Sequence, residues 1–280
     1  MTLHLRADRV LFRFSGPDAH KLVNDVVTGH VPDAPGDAAA WALLSPQGKI
    51  LAEGLAVWQD EALWLDTHVS VADDFFKRMR MYRLRAKAEI EDLRETHRVG
   101  FSAEEISGAA RDRLGPVQLG WQVIAPLSDT EGWDQDDSAY QAIRIANGIL
   151  HQGNDFPAND AFGHDLGMDI VEGIDFVKGC YVGQEVVSRM KHRGTARRRP
   201  VIVSGLEAES GSAVVANGRE AGTIGQVVDG KAVAIVRLDR ITDVDGVTVG
   251  DKPVQLSLPG WANYQFGESV SDEPPHPASP

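Results

Sequence analysis

One cysteine in 280 residues, Cys180, removes several classes of chemistry at once. A chain with a single thiol forms no internal disulfide and carries no CxxC zinc or redox pair. Nor can it supply the four thiolates that ordinarily hold an iron–sulfur cluster, so cluster chemistry would need ligands from another molecule, and no metal site is expected on this chain alone. Long apolar runs are missing too. None approaches the roughly 20 residues needed to cross a bilayer, and no membrane partner is expected. The opening Met1-Thr2-Leu3-His4-Leu5-Arg6 lacks the basic flank, apolar stretch and cleavage site of a secretion signal, which makes a cytoplasmic location the expectation. Cations are in deficit, 28 Lys and Arg against 41 Asp and Glu, for a net charge of −13. That balance excludes wrapping a nucleic acid with the whole surface.

What is present supports a folded core. Hydrophobic residues make up 42% of the chain, and its length suggests one large and one small domain. Ser15-Gly16-Pro17-Asp18 precedes Ala19, Leu22, Val23 and Val26, which share one helical face. Trp41 to Ala52 reads as a hairpin turning at Ser45-Pro46-Gln47-Gly48, and Gly54 to Asp66 as another turning at Gln59-Asp60. Ser70 is a candidate cap for a helix carrying Phe75, Phe76, Met79 and Tyr82, with Lys77, Arg78, Arg80, Arg83 and Arg85 as its solvated face. Strand-like runs follow at 89–100 and 117–125, then a helix over 140–148 and a long ordered loop over 151–175. After Arg199 the composition turns to short β-rich runs separated by Asn217-Gly218 and Asp229-Gly230, strong hairpin signals. The expected organisation is a body over 1–198, an antiparallel β-barrel over 199–264 and a disordered tail over 265–280.

The densest chemistry lies between Lys178 and Arg199. Gly183 to His192 has helical spacing, with Glu185 in the first turn and cations near the end, an order that suits the helix dipole. Cys180 then sits just ahead of a helix N-terminus with Lys178 two residues away, and both features favour thiolate. Gly179 and Gly183 allow sharp turns, and the Tyr181 ring suits stacking on a pterin. The alternative is that a lone cysteine is a small buried hydrophobe. From Arg189 to Arg199 there are six Lys or Arg and no acid. This stretch is either a solvated linker or an anion site, with Arg189, Lys191 and Arg193 as candidates for a folate glutamate tail or a weak RNA contact.

Lys178-Gly179-Cys180-Tyr181-Val182-Gly183-Gln184-Glu185 resembles the KGC[FY]xGQE motif of YgfZ-type proteins, a branch of the glycine-cleavage T-protein superfamily. Leu44-Ser45-Pro46-Gln47-Gly48-Lys49-Ile50 resembles the PQGKI hairpin of that superfamily, and Ile143 to Gly148 its LRI..G element. The resemblance implies an α+β fold, with a T-protein-like folate-binding body around a central channel and a small C-terminal β-barrel. It also implies tetrahydrofolate or a derivative as ligand, and a role in making or repairing iron–sulfur clusters, particularly in tRNA-modifying enzymes. Expected partners are folate and iron–sulfur assembly or client proteins. Asn24, Asp25, Arg144 and Tyr181 become folate-channel candidates, and Cys180 with Lys178 the reactive pair. Asp25 as a plain helix-surface residue and Arg144 as a structural ion-pair partner stay open. The rival reading is a folate-dependent aminomethyltransferase. Against it, Ala146 stands where that family has a pterin-contacting glutamate. A third reading is a binding module without thiol chemistry.

Overall fold

The computed structural model describes residues 2–193 and 196–267, and most of the tail expected to be disordered lies outside them. In the body, strands β1 (His4–Leu5) and β2 (Arg9–Ser15) lead into α1 (Ala19–Asn24). Next come β3 (Asp37–Leu44), β4 (Ile50–Gln59), β5 (Ala62–His68) and α2 (Ala72–Arg83). Four strands follow, β6 (Glu89–Asp92), β7 (His97–Ser102), β8 (Ala110–Leu114) and β9 (Val117–Pro126), and then α3 (Ser138–Ala146). These nine strands form one mixed sheet in the order β1-β7-β9-β8-β3-β4-β5-β2-β6. Its pairs are antiparallel except at the joint of β3 with β8, where Asp37 and Ala38 face Arg111 and Asp112 in parallel.

The sheet curls onto itself. Gln122 on β9 donates through Nε2 to the Asp66 carboxylate on β5, although β8, β3 and β4 stand between those strands in the order. α1 and α2 cover the outer face, where Phe12, Phe14, Trp41 and Phe75 are buried together with ring centroids 5.1–6.4 Å apart. Each such side chain contributes about 1.5–3 kcal/mol by leaving water, enough to hold short helices that would not form alone. The cap expected of Ser70 is replaced. Val69–Val71 form a 3-10 turn, and the His68 ring accepts the Ser70 N–H at 3.1 Å.

After a long segment with a 3-10 turn at Gly163–Leu166 comes α4 (Gln184–Arg193). The second sheet contains β10 (Arg198–Ser204), β11 (Ala213–Ala216), β12 (Arg219–Ile224) and β13 (Lys231–Arg237). It ends in β14 (Val247–Val249), β15 (Lys252–Pro253) and β16 (Gln255–Ser257), giving the order β15-β14-β11-β12-β13-β10-β16. β15 and β16 lie at opposite edges yet are one residue apart in the chain, so the edges meet and the barrel nearly closes. Asn217 and Gly218 both take positive φ, 51° and 70°, the geometry a two-residue hairpin between β11 and β12 requires.

Candidate functional site: a thiol loop on the rim and a sealed interior

The loop ahead of α4 is tied to the body at several points. Thr28 Oγ1 donates to Gly173 O at 2.8 Å, and Asp175 N donates to Thr28 O at 2.8 Å. The Asp175 carboxylate then accepts the N–H groups of Val177 and Lys178 at 2.8 and 3.1 Å, closing a tight turn. Lys178 Nζ donates to Val27 O at 2.9 Å and to Gly29 O at 2.8 Å. Burial of this ammonium pulls its pKa down to about 8 against the opposing fields of Asp175 and Asp25. The described hydrogen bonds of Lys178 therefore hold the loop to the segment after α1, and any pull on the sulfur acts through space.

Two glycines press the loop against the β3–β4 turn. Gly183 has φ of 84°, and a Cβ there would lie 2.8 Å from Ser45 O; Gly48 has φ of 80°, and its Cβ would lie 2.9 Å from Val186. The PQG and KGCY segments, far apart in sequence, thus pack together. Tyr181 sits in the core beside them at 7% exposure, and burial raises its hydroxyl pKa to about 12. Between these anchors Gly179 and Cys180 are exposed, and Val177 is 95% exposed. Lys191 Nζ lies 3.5 Å over the Phe176 ring. Gln184 and Glu185 open α4 behind the thiol.

The remaining predicted residues divide. Asp25 is exposed and pairs with Lys21 on α1, while its field reaches Lys178, so the end of α1, including Asn24, lies by the loop. Arg144 does not join them. It is fully buried, donating to Asp155 at 2.7 Å, to Ile149 O at 3.1 Å and to Gln226 at 2.8 Å, which ties α3 to the barrel. Its role is the structural ion pair, because no donor is left to face a channel. The basic stretch divides as well. Arg189 and Lys191 are exposed, and the Arg193 side chain lies outside the described residues. Arg198 donates to Asp165 at 2.7 Å, and Arg199 forms a bidentate pair with Asp169 at 2.7 and 3.0 Å. Arg198 and Arg199 are thus spent on carboxylates within the fold.

Sequence reasoning missed the polar interior. Arg9 Nε donates to Asp66 at 2.8 Å and its Nη1 to Glu53 at 3.0 Å, all three side chains buried. Tyr140 OH bonds His151 Nε2 at 2.8 Å, and Arg6 lies 3.6 Å over the Tyr140 ring. Burial would push Glu53 up, but Arg9 and His151 more than reverse this and hold its carboxyl well below the usual range. Burial raises Asp112 to about 6. A signal existed: Glu53 and Asp66 each interrupt an apolar strand, where a charge survives only if paired.

The cavities in this polar interior are small. The cavity bounded by Arg6, Asp66, Asp112, Gln122, Tyr140 and His151 measures about 10 Å³, room for about one water molecule. A neighbouring one against Trp41, Leu150 and Met168 measures about 40 Å³. Ligand pockets run to about 300–1,000 Å³. The described residues do not fit a pterin there: Arg9, Glu53 and Asp66 spend their charges on each other, Tyr181 is packed in the core, and Arg144 is turned to the barrel.

The curled mixed sheet followed by a nearly closed barrel is the aminomethyltransferase fold. The glycine cleavage system aminomethyltransferase T from Bartonella henselae superposes with a TM-score of 0.71, covering 95% of this chain and 87% of that one at 14% identity, a likeness of fold alone. Residues 196–264 match the family described as CAF17, C-terminal beta-barrel domain. In sequence, the chain is similar to the mitochondrial iron-sulfur cluster assembly factor IBA57 homolog of Pyricularia oryzae, 29% identical over 212 residues, spanning 68% of this chain and 54% of that protein. It is also similar to human iron-sulfur cluster assembly factor IBA57, mitochondrial, 28% identical over 224 residues, spanning 68% of this chain and 63% of that one. The chain thus spans little more than half the length of such relatives. Two expectations change. The relatives found bear the name IBA57, a family related to the YgfZ type. They are also named as mitochondrial, which overturns the cytoplasmic expectation drawn from the first residues.

Proposed function

We propose that this protein is an accessory factor of iron–sulfur cluster assembly that offers Cys180 as one thiolate to a cluster held mainly by a partner protein. The observation that carries the reading is the placement of the only cysteine: exposed, on a loop fixed at Lys178, Asp175 and Gly183. A protein that carries a cluster for itself buries several thiolates around it. One that receives or passes a cluster needs an accessible ligand on a positioned loop. The similarity to IBA57 proteins, named as assembly factors, supports the same role, with tRNA-modifying iron–sulfur enzymes among the proposed clients. The aminomethyltransferase alternative is disfavoured by the small interior cavities and by Ala146.

The test is complementation of cells lacking their own relative of this protein, with wild type and Cys180→Ala at equal protein level, scored by iron–sulfur enzyme activities including tRNA modification. Rescue by wild type alone supports the reading. Equal rescue by both demotes the thiol, and a stoichiometric, chelator-resistant cluster on the isolated protein overturns the shared-ligand mechanism.

A further inference from the structure

Residues 75–88, most of α2 and the turn after it, hold six cations and no acid in a chain of net charge −13. Lys77, Arg78, Arg80, Arg83, Arg85 and Lys87 are all exposed, and none forms an ion pair among the described residues. Other cations, Arg9, Arg144, Arg198 and Arg199 among them, are spent on ion pairs within the fold. Two aliphatic side chains stand among these cations, Met81 at 63% and Leu84 at 86% exposure. Met81 lies on the face of α2 opposite the buried Ala72, Phe75 and Met79, and Leu84 stands at the helix end beside it. Leu84 ends the helix with φ of 31° and ψ of −90°, a positive φ that glycine adopts most readily. A leucine kept in a strained, solvent-facing position points to a use for its side chain.

We propose that this face of α2 is a docking surface for an anionic lipid bilayer, with Leu84 and Met81 entering the headgroup boundary and the cations meeting lipid phosphates. The inference is independent of the cluster reading. Interfacial helices combine a cationic fringe with aliphatic side chains at the boundary, and each cation near an anionic leaflet strengthens binding about fivefold. A nucleic acid would use the cations but has no place for two exposed aliphatics and finds no exposed aromatic on which a base stacks. Leu84 protrudes, whereas a partner helix is received by a groove. The acidic remainder is repelled by an anionic surface, so the basic patch would orient the molecule. The absence of a spanning run, which suggested no membrane partner, does not bear on contact at the surface.

Co-sedimentation of the full chain with vesicles tests this. Binding is expected to phosphatidylcholine vesicles containing phosphatidylglycerol, to weaken with added salt, and to be absent with phosphatidylcholine alone. Arg80→Glu with Arg83→Glu should weaken binding at least about twentyfold, from about fivefold per cation. Leu84→Ser should weaken it severalfold and keep the salt dependence, with thermal unfolding showing each variant folded. No binding to the mixed vesicles, equal binding to neutral ones, or unchanged binding by either variant overturns the proposal. So does tRNA that displaces the vesicles and binds Leu84→Ser as well as wild type, since that assigns the face to nucleic acid.

Discussion

The interior and the rim of this fold treat polar groups in opposite ways. Inside the curled sheet Arg9 pairs with Glu53 and Asp66, Gln122 donates to Asp66, and the cavity beside them measures about 10 Å³. On the rim the same economy is used to present something. Asp175 and Thr28 spend side-chain hydrogen bonds on loop backbone, Lys178 spends its own on the segment after α1, and Cys180 is exposed. The two regions thus put polar groups to different uses within one fold, and fold likeness alone does not locate the site.

The comparison breaks most sharply under substitution. Cys180→Ala should abolish formation of a shared cluster with an assembly partner, read by visible absorption of the mixed proteins, while shifting unfolding by no more than about 0.5 kcal/mol as for other exposed positions. Arg9→Leu should do the reverse. It strands the Glu53 and Asp66 carboxylates in the core, a loss of about 3–5 kcal/mol in denaturant unfolding. Alkylation of Cys180 in the folded fraction should stay at the wild-type rate. A loss below about 1 kcal/mol would show that the interior is more open to water than its packing indicates.

Asp112 sharpens the interior half. Its folded pKa, about 6, lies above the ordinary 3.8, because burial disfavours the charge. The folded state therefore holds the proton between those values, and stability is lost as pH rises from about 4 to about 6. Asp112→Asn does not titrate, so it should match wild type near pH 4 and exceed it by on the order of 2 kcal/mol at pH 7. His151, buried and shifted down by burial, acts with the opposite sign, losing stability as pH falls below its ordinary 6.5. Both curves carry that contribution, so their difference isolates Asp112. Parallel curves would leave the Asp112 shift without support.

Much of the fold was legible because it rests on local chemistry: Asn217-Gly218 and the glycine ahead of α4 each demand a backbone conformation that the sequence announces, whereas the turn expected at Gln59-Asp60 falls one residue later, at Asp60 and Glu61. β8 was not read, since Ala110-Arg111-Asp112-Arg113-Leu114 is mostly charged, and its pairing with β3 depends on residues over 70 positions away. The same distance hid the polar interior: Arg9, Glu53 and Gln122 meet only once the sheet curls. Cys180 was legible as a special residue, but its exposure was not. Arg144 looked like a ligand by its place in a motif, and only Asp155 and Gln226, brought in by the loop and the barrel, show it to be a tie.

Lys178 ties the thiol loop to the segment after α1, and its substitution has the smallest expected effect. Lys178→Met removes two hydrogen bonds from the ammonium to Val27 O and Gly29 O, for about 1–2 kcal/mol of unfolding stability. If the residue is an anchor, limited proteolysis between 176 and 180 should quicken severalfold while transfer of a cluster slows only in proportion to the looser loop. The pH dependence carries a sign that packing alone lacks. The ammonium's folded pKa, about 8, lies below its ordinary 10.5, so the unfolded chain holds the proton between those values. Wild type therefore gains stability relative to the methionine variant as pH rises from 8 to 10.5. A gap that stays flat across that window would mean the ammonium is hydrated rather than seated on the carbonyls, and the rigidity assigned to the thiol loop would have to come from Asp175 and Gly183 alone.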